Sequence, residues 1–329
     1  MVTRQVVEEP ALPGSDLEAA GHSAPVSLGK GGLSTASVFA ACRKSFFAAK
    51  GHPTSLTYGR EVPAGTMNST VTVLMYHALG NECGACAGAE AHYTVTWRQF
   101  DSHLALTAQA GLRVSSVAQL LAAPADCAPS VAFTFDDGHG SNGPAAERIA
   151  RVGGSADFFI NPSRVGKPHN LGWSDLRSMA DAGMSIQSHG QDHCYLNELS
   201  PAEVMAQLVD SKKAIEDQLG RPVTLFAPPG GRVTPNLRVV AARAGYAAVC
   251  SSRVGLWHTR EGPWDVPRLA VLQSTSDTQL ARWLGHDWWE ITNRRARYLI
   301  LTSARRLLGN HRYGRLRVRL LRSDAPPTP

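Results

Sequence analysis

The run Val131-Ala132-Phe133-Thr134-Phe135, followed by Asp136-Asp137-Gly138, constrains this chain more than any other stretch. Its first five residues are apolar or β-branched without polar alternation, the pattern of a short strand covered on both faces. Such a strand delivers two adjacent carboxylates to its C-terminal end. In α/β folds built of parallel strands, the loops at that end form the active site, so the pair points to chemistry. The plainer reading is an Asp-Asp-Gly turn leaving a strand, since both residue types are standard turn formers. Other stretches decide between the two.

At 329 residues and 43% hydrophobic composition, the chain can bury a substantial core, as one large α/β domain with tails or as two domains. The net charge of +6 is unevenly spread, because positions 291–323 hold ten arginines and neither Asp nor Glu. Taking those ten from the 33 Lys+Arg leaves 23 against 27 Asp+Glu, a balance of −4, so any case for an anionic partner rests on the tail. Six cysteines in so long a chain do not form a disulfide scaffold. Cys83 and Cys86 make a lone C-x-x-C with no second pair at zinc-finger spacing and read as loop cysteines. The sequence has no basic patch, apolar core and small-residue cleavage site at its start, and no run as long as a membrane span. A cytoplasmic location is the default expectation.

Positions 1–66 are rich in Gly, Ala, Ser and Pro and are expected to be mostly disordered, with a short helix near Val38–Lys50. Beyond them the pattern predicts strands at Val71–Tyr76, Val131–Phe135, Ala156–Ile160, Met184–Ser188, Val223–Phe226, Ala247–Ser251 and Val266–Val271. Helices are expected at Trp97–Ala110, around Val117–Leu121, and at Pro144–Val152, Trp173–Ala182 (N-cap Ser174), Pro201–Leu219 and Pro235–Ala244. Ser200-Pro201-Ala202-Glu203 is a strong helix start, with Ser at the N-cap, Pro at N1 and Glu at N3. Alternation at this spacing implies parallel units in an open sheet or a barrel.

Three further stretches lie at strand ends. His189 and His193 are four apart, a spacing that lets both imidazoles face one point, as a divalent metal needs. In Phe226-Ala227-Pro228-Pro229-Gly230-Gly231-Arg232, prolines fix the backbone while glycines allow close approach, so a free N–H could meet a developing oxyanion; a rigid turn is the alternative. Trp264-Asp265-Val266-Pro267-Arg268 places an acid and an arginine around another strand.

T-F-D-D-G at Thr134–Gly138, S-H-x-x-x-H with a following Leu at Ser188–Leu196, and F-A-x-P-x-G at Phe226–Gly231 resemble, in order and spacing, the polysaccharide deacetylase (NodB-homology, carbohydrate esterase family 4) domain. Leu74-Met75-Tyr76-His77, the Trp173 helix and Val266-Pro267-Arg268 look like the branch that deacetylates poly-N-acetylglucosamine in biofilm exopolysaccharides. The resemblance spans about Val71 to Val271 and implies a distorted (β/α) barrel. It further implies that Asp137, His189 and His193 bind a divalent metal, typically Zn²⁺, with Co²⁺, Ni²⁺ or Fe²⁺ as alternatives. Asp136 would be the general base toward an attacking water. Gly230 stands where the family usually has a tyrosine whose backbone N–H helps bind the oxyanion. Pro229, Gly231, Trp173 and Trp264 complete the expected substrate-binding set. Where much of the family has an arginine to position the base, this chain has Ala227, and Arg268 is the candidate to supply that charge. The catalytic acid would be His286, in Leu284-Gly285-His286, or His77. Alanine at position 230 is expected to be tolerated better than proline, which removes the N–H.

The resulting reading is a metal-dependent hydrolase that removes N-acetyl groups from amino sugars of a glycan and releases acetate. A deformylase acting on a lipid-linked sugar and an inactive glycan-binding protein are the competing readings. Positions 67–290 would form the catalytic domain and 291–329 a basic tail. Trp288 and Trp289 precede mixed apolar residues and arginines from Ile291 to Leu308, which suits an interfacial helix on an anionic membrane surface. Arg315–Leu320 alternates in a strand-like way, and no nucleic-acid-binding fold accompanies the charge.

Overall fold

The computed structural model describes residues 70–81, 90–122, 128–300 and 303. The expectations for 1–66, for Cys83 and Cys86, and for Arg315–Leu320 lie outside these residues.

In chain order the elements are β1 (Thr70–Tyr76), β2 (Ala78–Gly80), β3 (Thr94–Thr96), α1 (Trp97–Gln109), β4 (Arg113–Ser115), α2 (Val117–Ala122), β5 (Ser130–Phe135) and α3 (Asn142–Arg151). There follow β6 (Asp157–Ile160), α4 (Trp173–Asp181), β7 (Ser185–Ser188), α5 (Pro201–Leu219), β8 (Leu225–Phe226), α6 (Leu237–Arg243), β9 (Ala248–Val249), β10 (Trp257–His258), β11 (Leu269–Ala270) and α7 (Asp277–Leu284). Positions 288–300 are also helical.

Strands β1, β5, β6, β7, β8 and β9 pair in parallel in that order, with β4 also on β5. Cys250 bridges Val266 just after β9, and β11 pairs with β1, so the sheet curls until its ends meet through one segment. This is the distorted (β/α) barrel expected from the alternation of strands and helices.

The strands divide their residues between two apolar clusters. Even positions of β1 (Leu74, Tyr76), with Phe133, Phe135, Phe158, Ile160, Ile186, Phe226 and Val249, face the surrounding helices. Val71, Val73, Ala132, Phe159, Leu225, Ala227, Ala248, Cys250 and Val266 fill the inside of the barrel. Successive strand residues point to opposite faces, so parity fixes the direction of the first residue beyond a strand's end. Ala132 and Thr134 point inward, so Asp136 does too. The outer layer anchors β5 through aromatic contacts, with Phe135 stacked on Phe158 at 4.7 Å and on Tyr76 at 5.2 Å between ring centroids.

Helix starts follow local chemistry. Ser200 accepts from Glu203 N while Glu203 accepts from Ser200 N, as the sequence predicts. Thr96 and Gln99 make the same reciprocal box at α1. At α4 the N-cap is Gly172 and not Ser174, because Asp175 one turn in accepts the Gly172 N–H at 2.8 Å. β8, β9 and β11 are shorter than predicted, since the curling sheet leaves only two residues of each in register. The helix at 288–300 runs across the boundary drawn at 290/291, and Ile291 belongs to the main core.

Candidate active site

Asp136 is 2% exposed and its N–H donates to Tyr76 O at 3.0 Å, which ties the end of β5 to β1. Both of its carboxylate oxygens are held by Arg268. Nη1 donates to Oδ1 at 2.7 Å and Nη2 to Oδ2 at 2.9 Å, while Nε donates to Ser251 O and Nη1 also to Thr134 Oγ1. A bidentate guanidinium–carboxylate pair fixes orientation as well as charge. Burial alone would push the Asp136 carboxyl up, but Arg268 and then His189 bring it below the usual carboxylate range. Each oxygen keeps a second lone-pair direction for another partner.

Asp137 leaves the strand with φ of +74°, the left-handed region that a non-glycine residue occupies only when its surroundings hold it there. His193 is also left-handed, at +57°. Its loop is fixed from several sides. Asn161 Nδ2 donates to His189 O and Gly190 O, and Gln207 exchanges two hydrogen bonds with Asp192. These turns aim His189 Nε2 and His193 Nε2 at the same Asp137 oxygen, at 3.5 and 3.0 Å. The three ligand atoms all lie within 4.8 Å of one another.

This donor set fits a divalent cation. His189 Nδ1 lies 2.8 Å from Ala227 O, and a carbonyl can only accept, so the proton is on Nδ1 and Nε2 presents a lone pair. Burial pushes the His189 imidazole down to about 4, against the pull of Asp136 and Asp137, so it is neutral near pH 7. Asp137 Oδ1 is buried, with the two imidazole nitrogens beside it. Burial opposes ionisation of Asp137, yet His193, His189 and His77 together hold its carboxyl far below the usual range. One carboxylate and two imidazoles suit Zn²⁺ or another first-row divalent metal.

The two expected acids part company. His77 follows β1 at the same end of the barrel as Asp136 and pulls both carboxyls downward. Its ring lies 4.3 Å from the Tyr93 ring between centroids in a tilted arrangement, its carbonyl accepts from Asn142 Nδ2, and its buried Nδ1 has no hydrogen-bond partner. His286 is not brought to the site. It lies beside His258, which pairs with Thr70 at the start of β1, whereas Tyr76 at the other end contacts Asp136. Six strand steps separate the two ends, or ~20 Å. The cause is that α7 and its C-terminal turn dock under the barrel, where Trp283 O accepts from Thr72 Oγ1.

Pro229–Gly231 forms a tight turn with Gly230 at φ +61°. A Cβ there would stand 2.6 Å from Tyr195 Cε1, and one at Gly231 2.4 Å from Ser252 Cβ. Alanine at 230 is therefore strained in its own right, by backbone conformation and by lack of space. Tyr195 is a site residue that the sequence reading does not single out. Its ring occupies the space beside Gly230, 6.5 Å from the His193 ring between centroids, with the Arg232 guanidinium 3.4 Å over it and Glu198 holding Arg232. An aromatic two residues past the second of two paired histidines is the available signal. Trp173 opens α4 and is half-buried against the outer core, and Trp264 lies under Arg238 at 5.8 Å. These contacts pack both tryptophans against the main core.

A family model described as polysaccharide deacetylase matches residues 124–249. That stretch includes Asp136, Asp137, His189, His193 and Gly230 but not His77 or Arg268. YxkH of Bacillus subtilis is 26% identical over 219 residues, covering 64% of this chain and 75% of that protein. The peptidoglycan-N-acetylglucosamine deacetylase of Bacillus cereus is 28% identical over 139 residues, 42% of this chain and 61% of its own length. Among solved structures, the Streptococcus pyogenes deacetylase PplD in complex with acetate gives a TM-score of 0.60 at 23% identity, covering 66% of this chain and 99% of that one. IcaB from Ammonifex degensii gives 0.58 at 22%, covering 65% and 97%. At those identities the two structures establish the likeness of fold.

Proposed function

The chain carries a polysaccharide deacetylase domain of the NodB-homology type, and from that premise we propose that it hydrolyses the N-acetyl group of an amino sugar in a glycan. The observation that carries the reading is the adjacency of two differently held aspartates. Asp136 is locked to Arg268, and Asp137 is left open between two imidazoles.

A divalent cation held by Asp137, His189 and His193 would polarise the acetyl carbonyl and acidify a water. Arg268 favours the ionised form of Asp136, which makes it a weak base suited to take a proton from an acidified water. The water oxygen forms a bond to the carbonyl carbon and its proton passes to the free lone pair of Asp136. The backbone N–H at Gly230 is the proposed donor to the carbonyl oxygen as negative charge gathers there. The C–N bond then breaks, its electron pair stays on nitrogen, and a proton must reach that nitrogen. His77 is the proposed source, as an imidazole at the same barrel end with an unengaged Nδ1. Acetate and a free amine result.

Tyr195 offers a flat apolar ring beside the histidines, the kind of wall against which a pyranose ring can pack. We take the substrate to be an N-acetylglucosamine-containing polymer. The name of the Bacillus cereus relative supports that sugar.

Incubating the metal-loaded chain with acetylated chito-oligomers and assaying acetate tests the reading. Acetate release that stops with a chelator is the expected result. Formate release from an N-formylated sugar, with no acetate from the acetylated one, would select the deformylase. Oligomer binding with neither product would select a glycan-binding protein.

A further inference from the structure

Nine large apolar side chains are exposed among the described residues; Tyr195 belongs to the candidate site, and Val152, Val209, Val233 and Val239 stand singly on separate elements or loops. Isolated exposure of that kind is ordinary. The other four, Trp288, Trp289, Leu299 and Ile300, share the helix at 288–300, with exposures of 60, 62, 55 and 68%.

The helix is firmly placed. Asp287 Oδ1 caps it by accepting from Trp289 N and Glu290 N. Ile291 enters the main core, and Arg294 lies 4.3 Å over the Trp283 ring while pairing with Glu290. Ile291, Arg294 and the half-buried Tyr298 recur every three or four residues and define the docked face. Trp288, Thr292, Ala296 and Leu299 recur the same way on another face, flanked by Trp289 and Ile300, and that face meets solvent. The two tryptophan rings stack at 4.2 Å. Arg294 is engaged inside the protein, so the cations free to meet a partner begin with the exposed Arg295 and Arg297.

We propose that this face lies on an anionic lipid bilayer, with Trp288, Trp289, Leu299 and Ile300 in the headgroup region and Arg295 and Arg297 against lipid phosphates. Two features favour lipid. The apolar face is narrow and headed by paired tryptophans, which suit an interface that is apolar on one side and wet on the other. The sequence from 291 to 323 holds ten arginines and no acid, a charge complementary to anionic headgroups. No described helix is long and apolar enough to cross a membrane, so the contact is with the surface.

The test uses the full chain and two vesicle types, phosphatidylcholine alone and phosphatidylcholine mixed with phosphatidylglycerol. Co-sedimentation with the mixed vesicles, weakened by salt and accompanied by a blue shift of tryptophan emission, is expected. The double variant Trp288→Ser/Trp289→Ser should lose about tenfold or more in vesicle partitioning, while its acetate release from soluble oligomers stays unchanged. Equal binding by the variant, binding indifferent to phosphatidylglycerol, or none at all would overturn the proposal. So would a self-association that the double variant abolishes, which would assign the face to a second copy, or retention on nucleic acid in place of lipid. Failed acetate release with intact lipid binding bears only on the proposed activity.

Discussion

Asp136 and Asp157 are two buried acids on the inner face of one curled sheet, and they are opposite in character. Asp136 ends β5 with Arg268 across both oxygens, and its carboxyl is held below the ordinary range. Asp157 starts β6 beside Thr134, two residues before Asp136, and accepts from Val117 N at 2.6 Å and Ala118 N at 3.4 Å at the start of α2. Burial pushes its carboxyl up to about 7, against the Ser185 hydroxyl and those two amides. A guanidinium in contact outweighs the desolvation of a carboxylate, whereas a hydroxyl, two amides and the same guanidinium acting only through its field do not. One acid is prepared for chemistry as an anion, and the other closes a strand–helix junction.

The comparison breaks most severely if the guanidinium is removed. Arg268→Ala leaves Asp136 buried without its cation, and the expected destabilisation is roughly 3–5 kcal/mol in urea unfolding, with loss of acetate release. Arg268→Lys restores charge but not the two-pronged geometry, so stability should recover more than turnover. An Arg268→Ala chain as stable as the parent would show that Asp136 is not held by this pair.

The two adjacent aspartates can be separated next. Asp137→Ala, His189→Ala and His193→Ala should each lower bound metal measured by elemental analysis. Asp136→Asn should keep the metal and lose roughly a hundredfold or more in turnover. Undiminished metal in all three ligand variants would dismiss the site as drawn, and near-normal turnover in Asp136→Asn would dismiss the base.

A smaller effect is expected at the rim. Gly230→Ala must adopt φ near +61° and meet Tyr195, so a loss of about 1–2 kcal/mol from backbone conformation is expected, plus a steric part. Adding Tyr195→Ala should return the steric part alone, read as a partial recovery of the unfolding midpoint. Full recovery would mean that the left-handed turn costs alanine nothing. Proline at 230 is a poor probe of the N–H, since its φ near −65° cannot match the turn.

Much of this arrangement is legible in the sequence. Strand parity on β5 fixes the inward direction of Asp136, and the capping signals at Ser200 place α5 within a residue. The four-residue spacing of His189 and His193 suggests the convergence that the structure shows. What periodicity cannot carry is backbone hand and long-range docking. Nothing local announces that Asp137 and His193 are left-handed, that Tyr195 fills the space of a missing side chain, or that α7 carries His286 to the far end of the barrel. Arg268 can be read from the sequence only as a replacement for a missing charge. The geometry of its pair with Asp136 depends on the sheet closing through Val266 and β11, which brings together residues 132 positions apart.

The mildest perturbation is Asp157→Asn, which should leave turnover at pH 7 nearly unchanged, because Asp157 touches neither the histidines nor the aspartate pair. Its effect appears in how stability varies with pH. In the unfolded chain an aspartate titrates near 3.8, and in the folded chain Asp157 titrates near 7. Between those values the folded state keeps a proton that the unfolded state has released, so stability falls as pH rises, at up to ~1.4 kcal/mol per unit. The contribution is fully present below about 3.8 and gone above about 7. Asparagine retains an oxygen for Val117 N and has no proton to lose, so it carries no such fall. Urea midpoints of parent and variant measured from pH 5 to 8 should therefore diverge in the variant's favour up to about 7 and run parallel above it. Taking the difference cancels the opposite slopes from Asp136 and His189, which both chains share. Profiles that stay parallel throughout would mean that Asp157 is ionised in the folded protein and resembles Asp136 after all.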